Sequence, residues 1–362
     1  MLGSAQAAPA PALPKFTPPT AKKPMALCFN ENPLGLTPAA SRRRDRSPAR
    51  RQPLPVRRSR KAPQGLRRLH GRQARERDAL ARLRRIDPRE HRGPHPSRRL
   101  PHLSRNSPTA TAPTRPGKNN VKVVTVPMGA KWSVDLEAMK KTVAGINGPV
   151  IVYFVNPNNP TSTIVDSKAL HDWIRSRPTD VFFVIDEAYA EYVRDPSFVS
   201  CKTLVDEGLE NLCVLKTFSK IFAMAGMRLG FTYAAPAVVN KVRTQVAYDI
   251  MLNNSAIAAA LVELEDKDFI PNSRKANEDA RVIVCKTLDE LGIEYLDSQT
   301  NFIFMNLKAP LKPFQDRMKA ENILVGRPFP PAVEWCRVSL STPDDMKYFA
   351  AKLKEFRRKG WV

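Results

Sequence analysis

Three short apolar runs constrain this chain more than any other feature. Pro149 to Val155 reads P-V-I-V-Y-F-V, Val181 to Ile185 reads V-F-F-V-I, and Leu212 to Leu215 reads L-C-V-L. Continuous apolar runs of this length, without alternation, suit strands buried on both faces, as parallel sheets require. Each run stops on a polar cluster: Asn156-Pro157-Asn158-Asn159-Pro160-Thr161, then Asp186-Glu187-Ala188-Tyr189, then the stretch from Thr217 to Arg228. Open α/β sheets place their ligands beyond the carboxyl ends of the strands. The pattern therefore predicts an α/β fold with a mostly parallel sheet and one site where the three clusters meet.

The rest of the chain divides around these runs. Residues 25–37 read as an extended start followed by a turn at Asn32-Pro33-Leu34-Gly35, and Val121 to Val126 as a strand. A helix is expected to start at Asp166, with one long or two consecutive helices over 237–265 and another over 270–291. Leu229 to Tyr233 is expected as an antiparallel or adjoining strand. From about 268 onward helices and strands alternate through Phe302 to Leu307, Lys312 to Asn322 and Trp335 to Leu340. Thr342-Pro343-Asp344-Asp345 then has the cap chemistry of a last helix, which together predicts a smaller α+β domain. The expected organisation is an arm over 1–41, a low-complexity segment over 42–118, a large domain over 119–267 and a small domain over 268–362. The Ala- and Pro-rich beginning lacks a basic region ahead of an apolar stretch and reads as a flexible arm rather than an export signal.

The formal net charge of +24 bears on function only through where it sits. Residues 38–118 hold 23 Arg and 2 Lys against 5 acidic residues, a surplus of 20. That segment also has 12 of the 33 prolines, no Phe, Trp, Tyr or Cys, and the single isoleucine Ile86. It lacks the large apolar groups that offset the entropy of ordering, so 42–117 is expected to be disordered or irregular, with helical fragments at most around Ala74 to Leu83. Two readings compete: an arginine-rich arm that neutralises nucleic-acid phosphates non-specifically, or a GC-rich stretch translated out of frame. The near-exclusive use of Arg over Lys, the sharp borders and the lack of interleaved aromatics favour the second. Five scattered cysteines without a C-x-x-C pair or a histidine cluster argue against a disulfide framework or a metal site and fit a reduced, cytoplasmic setting. No apolar run reaches the length of a membrane span.

The third cluster has the most chemistry. Lys220 follows Thr217 and Ser219, and Arg228 stands eight residues past it. Desolvation and a nearby cation lower a lysine pKa, so this amine could form a Schiff base with an anionic carbonyl compound. Thr217, Ser219 and Arg228 could serve as phosphate ligands. Taken alone, Lys220 reads better as a surface lysine beside a turn.

Asn159, Asp186, Tyr189, Lys220 and Arg228 at these spacings resemble the fold-type I pyridoxal-5′-phosphate (PLP) aminotransferases, and within them the histidinol-phosphate aminotransferase group. The motifs N-P-N-N-P-T, D-E-A-Y and S-K-x-F-x-M-A-G-M-R-L-G carry the resemblance, with F-N-E-N-P-L-G in the arm; it covers 25–37 and 119 to about 358. The resemblance implies PLP held by Lys220, its ring nitrogen kept protonated by Asp186, its phenolic oxygen met by Asn159 and Tyr189, and its phosphate gripped by Thr217, Ser219 and Arg228. It implies Arg337 as the ligand of the substrate's anionic group, with Arg327 as a second candidate and Asn30 and Asn32 on a segment closing over the substrate. It implies a homodimer that moves an amino group between an amino acid and a 2-oxo acid or phosphorylated ketone. Two alternatives stand beside this reading: a PLP-dependent amino-acid-phosphate decarboxylase, and an Arg-rich nucleic-acid-binding protein on a degenerate scaffold.

The chain departs from the family pattern in two places. Ser162 stands where relatives have Gly, which is tolerable if the backbone there avoids positive φ. Segment 42–117 has no counterpart of the family's partner-reaching tyrosine, phosphate-binding turn or ring-stacking aromatic, which argues for an incomplete and inactive pocket. Reading the coding DNA in the other frames across codons 42–117 is expected to yield an α/β-type sequence containing aromatics. Three frames equally poor in aromatics would overturn the out-of-frame explanation.

Overall fold

A computed structural model describes residues 13–45, 102–105, 123–177, 179–244 and 252–362 of the protein. Its centre is a six-stranded sheet in the order β3-β2-β4-β5-β6-β7. These strands are β2 (His102–Arg105), β3 (Val123–Thr125), β4 (Val150–Val155), β5 (Val181–Asp186), β6 (Leu212–Thr217) and β7 (Gly230–Ala234). The first five are mutually parallel, and β7 runs antiparallel to β6. The three apolar runs are thus the three adjacent strands β4, β5 and β6, as their continuous hydrophobicity requires.

One face of that sheet carries Val152, Phe154, Phe183, Ile185 and Val214, fully buried under α2 (Leu136–Ala144) and α3 (Ser167–Ser176). Trp173 of α3 meets Phe183 edge-on with ring centroids 5.0 Å apart. Burying each of these side chains is worth about 1.5–3 kcal/mol. Asp166 caps α3, its carboxylate accepting from the Ala169 amide at 2.6 Å. After the short helix α4 (Lys202–Asp206), the opposite face is covered near its edge by α5 (Pro236–Thr244). The expected helical stretch over 237–265 is two helices, α5 and α6 (Asn254–Glu265), and residues 245–251 lie outside the described residues.

The small domain is built on α7 (Phe269–Glu290), α8 (Leu311–Ala320) and α9 (Pro343–Arg358). Its strands β8 (Phe302–Asn306) and β10 (Trp335–Ser339) pair antiparallel. The Thr342 hydroxyl caps α9 by accepting from the Asp345 amide, with Pro343 in the first turn. The arm is not a separate unit. Its strand β1 (Met25–Leu27) pairs parallel with β9 (Ile323–Val325), and Met25 and Leu27 are buried in the small-domain core.

Two further expectations need correction. Segment 42–117 is regular at the places where it is described. Helix α1 (Pro38–Asp45) runs through residues 42–45, and β2 is a strand between β3 and β4. Backbone pairing explains the strand, because β2 hydrogen-bonds to neighbours on both sides whatever its composition. Residues 46–101 and 106–117, including Ala74 to Leu83, lie outside the described residues. The second correction concerns Ser162, which sits at φ +63°. Its amide donates to Asn158 O at 2.9 Å and its carbonyl accepts from the Gln299 amide at 2.9 Å, so the turn is held from both sides. A left-handed L-residue costs about 1–2 kcal/mol that glycine avoids. Ser162→Gly is therefore expected to stabilise the fold by about 1 kcal/mol and to raise the midpoint of thermal unfolding by roughly 2 °C. A lower midpoint would mean that the Ser162 hydroxyl, bonded to Thr161 O, outweighs the backbone strain.

Candidate functional site

Strand register brings the three polar clusters together. Val155 lies opposite Asp186, and Asp186 opposite Leu215. The turn holding Asn159, the Asp186–Tyr189 stretch and the loop from Thr217 to Arg228 therefore leave the sheet side by side. The small domain adds Arg337 from β10, and the arm adds Cys28 to Asn30.

Arg337 is buried and spans the junction. Its Nη1 donates to Asn159 Oδ1 at 2.7 Å and its Nη2 to the Cys28 carbonyl at 2.8 Å, while its buried Nε has no partner. Gly326 makes this placement possible. Its amide donates to Arg337 O at 2.9 Å, and a Cβ there would stand 2.5 Å from that oxygen. The guanidinium also lies over the rings of Phe302 and Phe329, at 5.4 and 4.9 Å from their centroids. Arg327 is exposed and stacks on the same Phe329 ring at 4.5 Å. The two arginines thus share one aromatic surface, and sequence reasoning had no signal for Phe329.

Tyr189 is buried edge-on against Phe302 at 5.2 Å. Its hydroxyl oxygen accepts from Asn30 Nδ2 at 3.1 Å and from Asn159 Nδ2 at 3.4 Å. With both lone pairs engaged, the hydroxyl hydrogen is left to donate onward. Asn30 is anchored in turn by Ser339, whose Oγ accepts from the Asn30 amide at 2.9 Å and donates to its Oδ1 at 2.7 Å.

Lys220 is half-buried beneath this network. Its Nζ donates to the carbonyls of Phe29 and Asn30 at 3.0 and 3.1 Å and lies 5.6 Å from the Tyr189 ring centroid. Burial, reinforced by the nearby Arg337 and Arg228 cations, pushes its amine down to about 8; Glu31 and Asp186 pull the other way. Asp186 reaches the same cleft from the end of β5. Burial pushes its carboxyl up, opposed by hydrogen bonds from the Tyr153 hydroxyl at 2.5 Å and the Ala188 amide at 3.1 Å.

On the far side of the lysine loop, Thr217 Oγ1 accepts from the Ser219 amide at 3.0 Å. Arg228 Nη1 donates to Ser219 Oγ at 3.4 Å and to Ala225 O at 2.7 Å. Asn30, Ala223 and Arg228 all hold left-handed φ, between 54° and 56°, so non-glycine backbone strain gathers around Lys220. Asn32 is not brought into the cleft. It is buried, with its Nδ2 donating to Ile221 O at 2.7 Å and Ser273 Oγ at 2.9 Å, and it braces the lysine loop against α7. Sequence reasoning placed it with the substrate because a turn asparagine carries no mark of the side its amide faces.

The chain matches known proteins over most of its length. Residues 118–353 fit the family model of class I and II aminotransferases. The chain belongs to that family. It is 30% identical over 238 residues to histidinol-phosphate aminotransferase 2 of Legionella pneumophila (strain Philadelphia 1), covering 65% of this chain and 63% of the relative. Histidinol-phosphate aminotransferase of Granulibacter bethesdensis is 33% identical over the same shares. The match thus spans less than two thirds of those relatives' length. A crystal structure of a candidate histidinol-phosphate aminotransferase from Erwinia carotovora atroseptica superposes with a TM-score of 0.81 at 36% identity, over 96% of this chain and 100% of that one. The histidinol-phosphate aminotransferase of Sinorhizobium meliloti, solved with pyridoxal-5′-phosphate, shares the fold at TM-score 0.79 and 21% identity, over 92% of this chain and 91% of that one.

The family site in this chain offers a carboxylate, two amide or hydroxyl donors, an amine and an Arg–Ser pair in one cleft. That set fits PLP at its ring nitrogen, phenolic oxygen, carbonyl carbon and one side of its phosphate. Residues 46–101 and 106–117, whose sequence has no counterpart of the family's further cofactor contacts, lie outside the described residues. Among the described residues no cluster of His, Cys, Asp or Glu is placed to hold a metal ion, and no helix is long and apolar enough to cross a membrane. Because Arg337 adds to the depression of Lys220 by burial, Arg337→Gln is expected to move the lysine's titration midpoint upward from about 8. Carbon-13 NMR of reductively methylated protein, with the Lys220 signal assigned by Lys220→Arg, measures this. An unmoved midpoint would leave burial and Arg228 as the causes of the depression.

Proposed function

We propose that this protein is a PLP-dependent aminotransferase of the histidinol-phosphate type, moving an amino group between an amino acid and a 2-oxo acid or phosphorylated ketone. The observation that carries the reading is the convergence of Asn159, Asp186, Tyr189, Lys220 and Arg337 from four separate segments on one cleft.

Bound PLP supplies an electron sink for negative charge on the substrate's α-carbon. Asp186 would keep the ring nitrogen protonated, because an ionised carboxylate beside it favours the N–H⁺ form. Tyr189 would donate its hydroxyl hydrogen to the phenolic oxygen, with Asn159 beside it. Ser219, Arg228 and Thr217 would hold the phosphate. Lys220 is the amine that would hold the cofactor, and when free and neutral it is the base that takes the α-proton on Nζ. With a midpoint of about 8, a substantial fraction of that amine is neutral at mildly alkaline pH.

Arg337 would orient the substrate carboxylate through its guanidinium edge. Arg327, exposed beyond Phe329, is placed for a second anionic group, such as the phosphate of a phosphorylated amine. The reading extends to a cytoplasmic homodimer, the arrangement expected from the family resemblance. Added PLP is expected to produce a visible absorbance band that is absent in Lys220→Ala, whose amino transfer should fall at least a thousand-fold, about 4 kcal/mol in the barrier. A wild-type chain that stays colourless with excess PLP would sink the activity while leaving the family membership intact.

A further inference from the structure

We infer that Tyr153 is a positioning residue that orients the Asp186 carboxylate and keeps it ionised, a role that rests on the PLP reading for its use. Tyr153 lies on β4 opposite Val184 of β5, and Asp186 follows two residues along the same strand. Residues two apart on a strand share a face, so the Tyr153 side chain reaches Asp186 diagonally across the ladder. Its hydroxyl donates to Asp186 Oδ2 at 2.5 Å, while Oδ1 accepts from the Ala188 amide at 3.1 Å. The two contacts fix the plane of the carboxylate at the end of β5.

The charged and titratable groups around Asp186 make the hydroxyl decisive. Burial pushes the carboxyl toward its neutral form, and Glu187 adds to that push. Lys216 opposes it from β6, but Lys216 is already paired with Glu187 at 2.9 Å and Glu191 at 3.0 Å. Lys220 and Tyr189 are the other titratable groups facing Asp186. That leaves the Tyr153 hydroxyl and the Ala188 amide as the direct donors. Tyr153 stays protonated, because burial and Asp186 itself raise its pKa, so it acts as a donor at any working pH. A neutral Asp186 could not favour a protonated ring nitrogen, whereas a hydrogen-bonded carboxylate can. The aromatic ring packs beside Cys213, Leu215 and Val238, so phenylalanine would keep the packing and lose only the donor.

The test is a titration of the Asp186 carboxyl in cofactor-free protein, followed by infrared difference spectroscopy and assigned by Asp186→Asn. Tyr153→Phe is expected to raise the midpoint by about one unit, the worth of a hydrogen bond to a charged group. Site-specific 3-fluorotyrosine at position 153, a stronger donor of nearly equal size, is expected to lower it. With PLP added, the pH at which the visible band changes should move upward by the same increment in Tyr153→Phe. Identical Asp186 midpoints in wild type, Tyr153→Phe and the fluorotyrosine protein would overturn the inference. If the midpoints move but wild type takes up no PLP, the cofactor reading fails and the control of Asp186 by Tyr153 stands.

Discussion

The parallel pairing of β4, β5 and β6 is the constraint on which the site depends. Hydrogen bonds between these strands fix their register, and register decides which residues leave the sheet together. A slip of one residue would turn Asp186 to the opposite face, under α3, and would bury its carboxylate in the apolar core. The continuous hydrophobicity of the three runs stabilises the pairing, because Phe154, Phe183, Ile185 and Val214 can all be buried only when the strands lie in this order. Chemistry at the strand ends is thus secured by packing in the strand middles.

Electrostatics in the cleft follow from the same geometry. Two arginines and one carboxylate converge on Lys220 where water is partly excluded, so burial and these charges together set the protonation of its amine. Burial, reinforced by the cations, lowers the lysine and leaves a neutral amine within reach of ordinary pH. Burial pushes the carboxyl of Asp186 up, and donors on a neighbouring strand and on its own following turn oppose that push. The arm contributes backbone as well as the Glu31 charge: the carbonyls of Cys28, Phe29 and Asn30 accept from Arg337 and Lys220. Its left-handed Asn30 is held in place by Ser339 and Tyr189, so a strained backbone is maintained by side chains from both domains.

Much of this was legible in the residues. Strand runs, their polar ends, the Thr342 cap and the motifs around Asn159, Asp186 and Lys220 are local patterns, and local patterns survive in sequence. What failed to show were relations between distant segments. Asn32 was read as a substrate residue and instead braces Ile221 and Ser273. Tyr153 looked like one more apolar strand position, because nothing local tells a core tyrosine from one whose hydroxyl reaches a neighbouring strand. Arg327 and Arg337 could not be seen to share Phe329, and the arm could not be seen to pair with β9. Ser162 shows the converse error: its substitution for glycine was visible, but the sign of φ at that turn is set by the contacts of Asn158 and Gln299.

The sequence by itself determined the fold class, the family and the candidate amine, because buried parallel strands and cofactor chemistry each demand particular residue types at short spacings. Only the tertiary structure decided the electrostatic state of that amine and of its carboxylate. Burial and Coulomb interaction depend on distance through space, and Lys220, Asp186, Tyr153 and Arg337 are brought within that distance by strand register and domain packing rather than by their order along the chain.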